Sequence, residues 1–360
     1  MGNKEKVQKI LEASKKVFID AAVENGGIVA GNTDMSYYPP GAKNYHYVWP
    51  RDGAYVCVAA DMLGVDIAKP FFKWMYERPE KFEKTGLLYR RYATNGRLEG
   101  EDFQPDQHGA LLWAIAEHVK NTDDTADEYK DLIVRLAEGL SEHWRGHFFD
   151  INTVDLWEEE KRQTLEEYEN TFTYSLAACS RGLLLADFLF PHKTWRNVAT
   201  EMKEQMEKAY DKEHKYFLRT KGKINDYNVD ASLVGLVYPF DMIEATNAKM
   251  VNTVSQIEKK IVHEGGVHRF EMDYYDGEGR GWEGAGAWPL LNFWLSIYYA
   301  KKGDTEKAED YFDWVIDKMK DDYIPEQMFS DGRVGVKPLV WSHAMFVIAC
   351  SFLGYLEHEG

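Results

Sequence analysis

The chain is 360 residues long and carries 43 basic against 60 acidic side chains, a formal net charge of −17, which excludes a protein that tracks nucleic-acid phosphates. Hydrophobic residues make up 44%, with 18 Phe, 22 Tyr and 11 Trp, so disordered and low-complexity classes are excluded and a large core can be filled. The three cysteines, Cys57, Cys179 and Cys350, lie in apolar stretches without disulfide or zinc spacing and read as buried small hydrophobes in a reducing compartment.

Met1 to Ile10 is charged and leads into an amphipathic pattern, unlike a secretory leader, so a cytoplasmic location is expected. From there the hydrophobic period is helical, and two kinds of helix alternate. Val7 to Val23, Ile67 to Tyr76, Glu128 to Leu140, Trp195 to Tyr210, Asn247 to Val262 and Thr305 to Met319 are amphipathic, and each should turn one side to solvent. Each is followed by a segment apolar nearly all round: Gly53 to Leu63, Gly109 to Val119, Phe172 to Phe190, Ala231 to Tyr238, Ala285 to Ala300 and Leu339 to Leu356. The last runs 18 residues without a formal charge, the lower limit for a membrane span. Its Ser342, His343, Ser351 and Gly354 favour instead a helix buried on all sides of a large core.

Six outer and six inner helices, repeating at about 54 to 63 residues, are the pattern of an all-α (α/α)6 barrel. No linker or composition shift divides the chain, so residues 1–360 are expected to form one catalytic domain.

The chemistry-bearing residues cluster just ahead of the inner helices. Tyr45-His46-Tyr47-Val48-Trp49-Pro50-Arg51-Asp52-Gly53 comes first, then Glu101 to Gly109, then Asp155-Leu156-Trp157-Glu158-Glu159-Glu160. His268-Arg269-Phe270 with Tyr274-Tyr275 precedes the fifth inner helix, and Ile324-Pro325-Glu326-Gln327 the sixth. In a toroid of parallel inner helices these segments share one rim, where aromatic, arginine and carboxylate side chains would line a pocket suited to a sugar.

Plainer readings exist for each. Trp49, Trp157, Trp282, Trp288 and Trp341 could simply fill core, the Glu158-Glu159-Glu160 run could be a solvated face, and Arg51-Asp52 a surface pair at a helix start. His46, His108, His268 and His343 lack metal-ligand spacing. What favours chemistry at Glu158 is its place directly after Leu156-Trp157, since an apolar aromatic neighbour can make a carboxylic acid a proton donor. There is no Gly-rich phosphate loop, zinc constellation or Gly-x-Ser-x-Gly elbow. Paired carboxylates are the chemistry on offer, and neither cofactor nor metal is expected.

The segments Trp49-Pro50-Arg51-Asp52-Gly53, Asp155-Leu156-Trp157-Glu158-Glu159, Pro325-Glu326-Gln327 and Pro338 to Ala344, with the Trp288 to Leu295 block, resemble the ordered motifs of glycoside hydrolase family 15, the glucoamylase and glucodextranase family. The likeness runs from about Tyr45 to Phe346 and implies an (α/α)6 barrel. It also implies an inverting exo-enzyme that releases β-glucose from non-reducing ends of short α-1,4- or α-1,6-linked gluco-oligosaccharides.

Carried over, the resemblance makes Glu158 the general acid and Glu326 the general base, on the order of 6.5 to 9.5 Å apart to admit a water. Arg51, Asp52 and Arg269 match sugar-binding positions, and Tyr45 matches a tyrosine near the developing oxocarbenium charge. Trp49, Trp157 and Trp341 match pocket walls, and Glu159 a contact to the leaving sugar. Gln104 and Asp106 match another pocket loop more loosely.

The first barrel helix begins almost at Met1, which favours small soluble substrates over polymeric starch. Two alternatives stay open. One is an α,α-trehalase of the same family; the other is a toroid lyase or epimerase using Tyr47, His46 or His343. A sugar-binding protein without turnover is a third reading, disfavoured by the presence of both carboxylates.

Overall fold

A computed structural model describes residues 3–159, 164–275 and 284–356; Glu160 and Trp282 lie outside them. In chain order the helices are α1 (Asn3–Ala21), α2 (Pro50–Met62), α3 (Ala68–Glu77), the single turn α4 (Phe82–Thr85), α5 (Asp106–Asn121), α6 (Lys130–His143), α7 (Thr173–Leu189), α8 (Lys193–Lys208), α9 (Ala248–Ile261), α10 (Pro289–Lys302), α11 (Thr305–Lys318) and α12 (Val340–Phe352). Amphipathic spacing sends α1, α3, α6, α8, α9 and α11 outward; α11, for instance, buries Ala308, Phe312, Val315 and Ile316 on one stripe. Helices α2, α5, α7, α10 and α12 are buried along most of their length.

The fourth inner position is a correction. Ala231–Leu236 forms a six-residue 3-10 helix, not an α-helix out to Tyr238. Pro239 lacks an N–H and disfavours helical backbone at the residue before it, and Gly235 lies so close to the Tyr174 ring that a Cβ there would sit 2.6 Å from it. The ring nonetheless closes: α2 packs on α5, α5 on α7, α7 on the 3-10 helix, that on α10, α10 on α12, and α12 back on α2. This is an (α/α)6 toroid.

Close approach within the ring depends on glycine. At the α5–α7 contact, a Cβ on Gly109 would sit 2.1 Å from the Ala178 carbonyl oxygen, and one on Gly182 would sit 2.8 Å from the Gly109 Cα. The lumen is filled by rings: Tyr55 lies 5.0 Å from Trp113, 6.2 Å from Trp294 and 5.3 Å from Trp341, centroid to centroid, and Trp113 lies 6.1 Å from Tyr238. Dense aromatic packing below Trp341 closes that end of the barrel.

The three cysteines are free and buried. The apolar C-terminal stretch is the 13-residue α12, buried from Val340 to Cys350. Among the described residues no helix is long and apolar enough to cross a membrane.

Candidate active site

Two Trp-Pro dipeptides build the rim. Proline opens both α2 (Pro50) and α10 (Pro289), where its missing N–H costs nothing, and the preceding Trp49 and Trp288 are extended, with φ of −99° and −103°. The chain therefore turns sharply into each helix and leaves an indole beside the barrel mouth. There a pocket of about 580 Å³ opens. Its walls include Tyr45, Trp49, Arg51, Asp52, Trp157, Glu158, Glu159, Arg269, Glu326 and Trp341, so the two expected acids and the side chains expected to hold the sugar face one cavity. Tyr275, from a segment expected on the rim, lines it too, as does Trp288, whose Trp-Pro pair repeats Trp49-Pro50. Arg90 and Arg91 also line it and were not expected.

Glu158 sits on a braced segment. Asp155 Oδ1 accepts the Trp157 and Glu159 backbone N–H groups at 3.2 and 3.4 Å. The Asp155 carboxylate also pairs with buried Arg219, which lies 3.2 Å from Asp230, and the Gln104 amide donates to the Asp155 carbonyl at 2.6 Å. Glu158 itself adopts φ 62°, a left-handed backbone that costs a non-glycine residue about 1 kcal/mol or more.

Its carboxylate accepts from the Trp49 indole N–H at 2.6 Å and from Arg90 Nε at 2.5 Å. The aromatic expected to act on Glu158 was Trp157, its sequence neighbour. The indole N–H of Trp157 donates instead to Asp230, at 3.2 Å from each oxygen. Leu156 and Trp157 form a turn closed by the Glu158 N–H on the Asp155 carbonyl at 3.1 Å, and Glu158 leaves it with left-handed backbone, so the two side chains part.

Glu326 is held by an extended segment. Its N–H donates to the Val336 carbonyl at 2.7 Å, Gly335 donates to the Gln327 carbonyl at 2.9 Å, and Met328 pairs with Ala287. Ala287, bridged to Met328, and Trp288 are thus extended, strand-like backbone, which is why α10 begins at Pro289 and not at Ala285. Tyr45 donates its hydroxyl to Glu326 Oε1 at 2.7 Å and meets the Tyr275 hydroxyl at 2.9 Å. Burial, and next the Glu326 charge, push the Tyr45 phenol far above its ordinary range, so it stays a neutral donor.

The pocket floor is ionic and buried. Arg51 Nη2 bonds Asp52 at 3.2 Å, Nη1 lies 3.5 Å from Asp106, and the guanidinium stacks 4.8 Å from the Trp341 ring centroid. Burial outweighs Arg51 at both acids, raising Asp52 to about 6 and Asp106 to about 7. Arg51 Nε and Nη1, Trp288 Nε1 and Trp341 Nε1 are buried donors with no hydrogen-bond acceptor among the described residues. A polyhydroxylated ring would supply acceptors to such groups.

Arg269 is fixed by a bidentate bond to Asp273, 2.7 Å on each arm, stands 3.7 Å from Glu159 and is stacked by Tyr275 and Trp288 at 4.6 and 4.8 Å.

Other expected residues lie behind the walls. Gln104 and Asp106 do not line the pocket but support Asp155 and Arg51. His343 is fully buried, bonded to the Ser14 hydroxyl at 2.8 Å and accepting the Ile324 N–H at 2.9 Å. Burial lowers it to about 3, a neutral structural histidine. His108 is likewise lowered by burial, to about 4. Tyr47 packs edge-on against Trp49, and neither it nor His46 is among the residues lining the pocket.

Residues 3–330 match the profile of glycosyl hydrolases family 15. The chain belongs to that family. It is thus a glycoside hydrolase, as its similarities bear out. It is 28% identical over 374 residues to an uncharacterized glycosyl hydrolase of Methanocaldococcus jannaschii, an alignment that takes in 95% of this chain and 55% of that protein. It is 24% identical over 347 residues to an isomaltose glucohydrolase of Kribbella flavida, taking in 86% of this chain and 85% of the relative. The family 15 chain therefore spans about half the length of the first relative and most of the second. Its fold is shared with a solved wild-type glycosidase at TM-score 0.80 and 23% identity, with 98% of each chain covered.

Proposed function

We propose that this chain hydrolyses the terminal α-glucosidic bond of short gluco-oligosaccharides with inversion, with Glu158 as general acid and Glu326 as general base. One observation carries the reading. The two carboxylates hang on one relay, Glu326 to Tyr45 at 2.7 Å, Tyr45 to Trp49 at 5.7 Å between ring centroids, and Trp49 to Glu158 at 2.6 Å, so an aromatic pair separates two acids on the wall of one pocket. In the step proposed, Glu158 gives its proton to the glycosidic oxygen as the C1–O bond breaks. Water attacks C1 from the other face and yields its proton to Glu326, and β-glucose is released.

The exo reading rests on the floor. Arg51 and Asp52 would grip hydroxyls of the terminal glucose, with Trp341 under the ring, and the aromatic plug beneath leaves no passage for a chain to thread. The near full-length match to an isomaltose glucohydrolase supports a small substrate and puts an α-1,6 linkage ahead of α-1,4. Three free buried thiols support a reducing, cytoplasmic setting, and the closed ring supports one catalytic domain over residues 1–360.

The test is glucose release from isomaltose, maltose, nigerose and trehalose. The reading expects the highest kcat/KM on isomaltose or maltose. Turnover confined to trehalose would replace it with a trehalase, and an unsaturated or epimerised product with the lyase or epimerase alternative.

A further inference from the structure

We infer that Arg90 is the positioning residue of the proton donor, an inference that rests on the reading of Glu158 as general acid. The backbone does not aim Glu158 by itself, since its left-handed φ of 62° lies outside any helix or strand. The side chain is aimed by two donors from elsewhere in the ring, Trp49 at the start of α2 and Arg90 in the segment before α5. Trp49 is neutral; Arg90 brings a charge.

Arg90 is itself fixed at both ends. Its backbone N–H donates to the Asp102 carbonyl at 3.0 Å, its carbonyl lies 3.4 Å from the Gln107 amide, and its guanidinium stands 3.7 Å from the Asp102 carboxylate. The guanidinium thus reaches Glu158 with little rotamer freedom left to lose. A contact of 2.5 Å between side chains only 23% and 14% exposed is a charge-assisted hydrogen bond in a partly dry site, where such bonds are strong.

The charge matters at one moment of the reaction. As the C1–O bond breaks, the proton moves from Glu158 to the departing oxygen and a full negative charge appears on the Glu158 carboxylate. A guanidinium already in place stabilises that charge as it develops, without reorganising. The stabilisation is realised only when the leaving group takes a proton. It is therefore absent from the cleavage of a bond whose leaving group departs as a stable anion.

The experiment compares kcat/KM on isomaltose or maltose, whichever is the better substrate, with that on α-glucosyl fluoride, whose fluoride needs little protonation. Arg90→Gln is expected to cost about 10- to 100-fold on the disaccharide and far less on the fluoride, raising the fluoride-to-disaccharide ratio at least about fivefold. Arg90→Lys, which keeps the charge without the planar fork, should recover part of the disaccharide rate.

A ratio that rises less than this, whether both substrates suffer equally or neither does, overturns the inference and makes Arg90 a binding or structural residue. Glu158→Gln is the reference. If Glu158→Gln is selective and Arg90→Gln is not, only the role of Arg90 falls. If Glu158→Gln shows no selective loss, the assignment of the acid falls and takes this inference with it.

Discussion

Tyr45 and Glu326 form a donor–acceptor pair 2.7 Å apart, with the Tyr275 hydroxyl 2.9 Å from the same phenol. A carboxylate that must take a proton from water needs a fixed orientation, and Tyr45 is the described side chain that binds it most closely. A hydrogen bond to a charged group contributes about 1.5–3 kcal/mol. Tyr45→Phe is therefore expected to lower kcat by about 10- to 100-fold, with an unaltered melting temperature. Unchanged kcat in steady-state assays would remove Tyr45 from the account.

The two carboxylates themselves should be indispensable in kcat and dispensable for folding, because Glu158 and Glu326 line the cavity and hold no helix in place. Glu158→Gln and Glu326→Gln should each reduce kcat by about 10²- to 10⁴-fold or more. Circular dichroism melts within a few degrees of the parent would show that chemistry, not structure, was lost. Near-full activity in either variant contradicts the assignment.

Asp106 predicts a dependence of stability on pH. Burial holds it at about 7 in the folded protein against an ordinary 3.8. Between those values the unfolded chain loses the proton and the folded chain keeps it, so folding stability falls as pH rises through this window. Below 3.8 the penalty is absent, and above about 7 it is constant. Asp106→Asn keeps the neutral shape at every pH, and Arg51 retains Asp52. The melting temperature of this variant, relative to the parent, should be higher at pH 8 than at pH 5. Parallel curves would show that Asp106 does not carry the effect.

The inner ring predicts a packing defect far from the chemistry. At Gly109 an added Cβ would meet backbone, the Ala178 carbonyl oxygen at 2.1 Å, with no flexible side chain to yield. Gly109→Ala should cost about 1–3 kcal/mol, as overpacking does, despite alanine's better helix propensity. Denaturant unfolding checks it, and a stabilised variant would mean that α5 and α7 are not in such close contact.

Legibility in the sequence followed whether a residue's role was local. Arg51-Asp52, Trp157-Glu158 and Glu326 stand in contiguous segments just ahead of inner helices, and alternating burial alone implied that those segments share a rim. Arg90 and Arg91 reach the same pocket from the segment between α4 and α5, which has neither helical period nor motif, so nothing local announced them. The hydrogen-bond donors of Glu158 were illegible for a related reason. Sequence adjacency shows only Trp157, whereas the fold delivers the indole N–H of Trp49, 109 positions away. The helix termini followed proline: Pro289 sets the start of α10, and Pro239 cuts the fourth inner helix to one 3-10 segment, although the apolar run of Ala231 to Tyr238 resembles the others in composition.

The central claim is an inverting displacement between Glu158 and Glu326, and it is tested most directly by the anomer first formed. Proton NMR of a digest of isomaltose or maltose, recorded before mutarotation, should show the β-anomer of glucose appearing ahead of the α. Initial α-glucose would require a retaining mechanism and contradict the account.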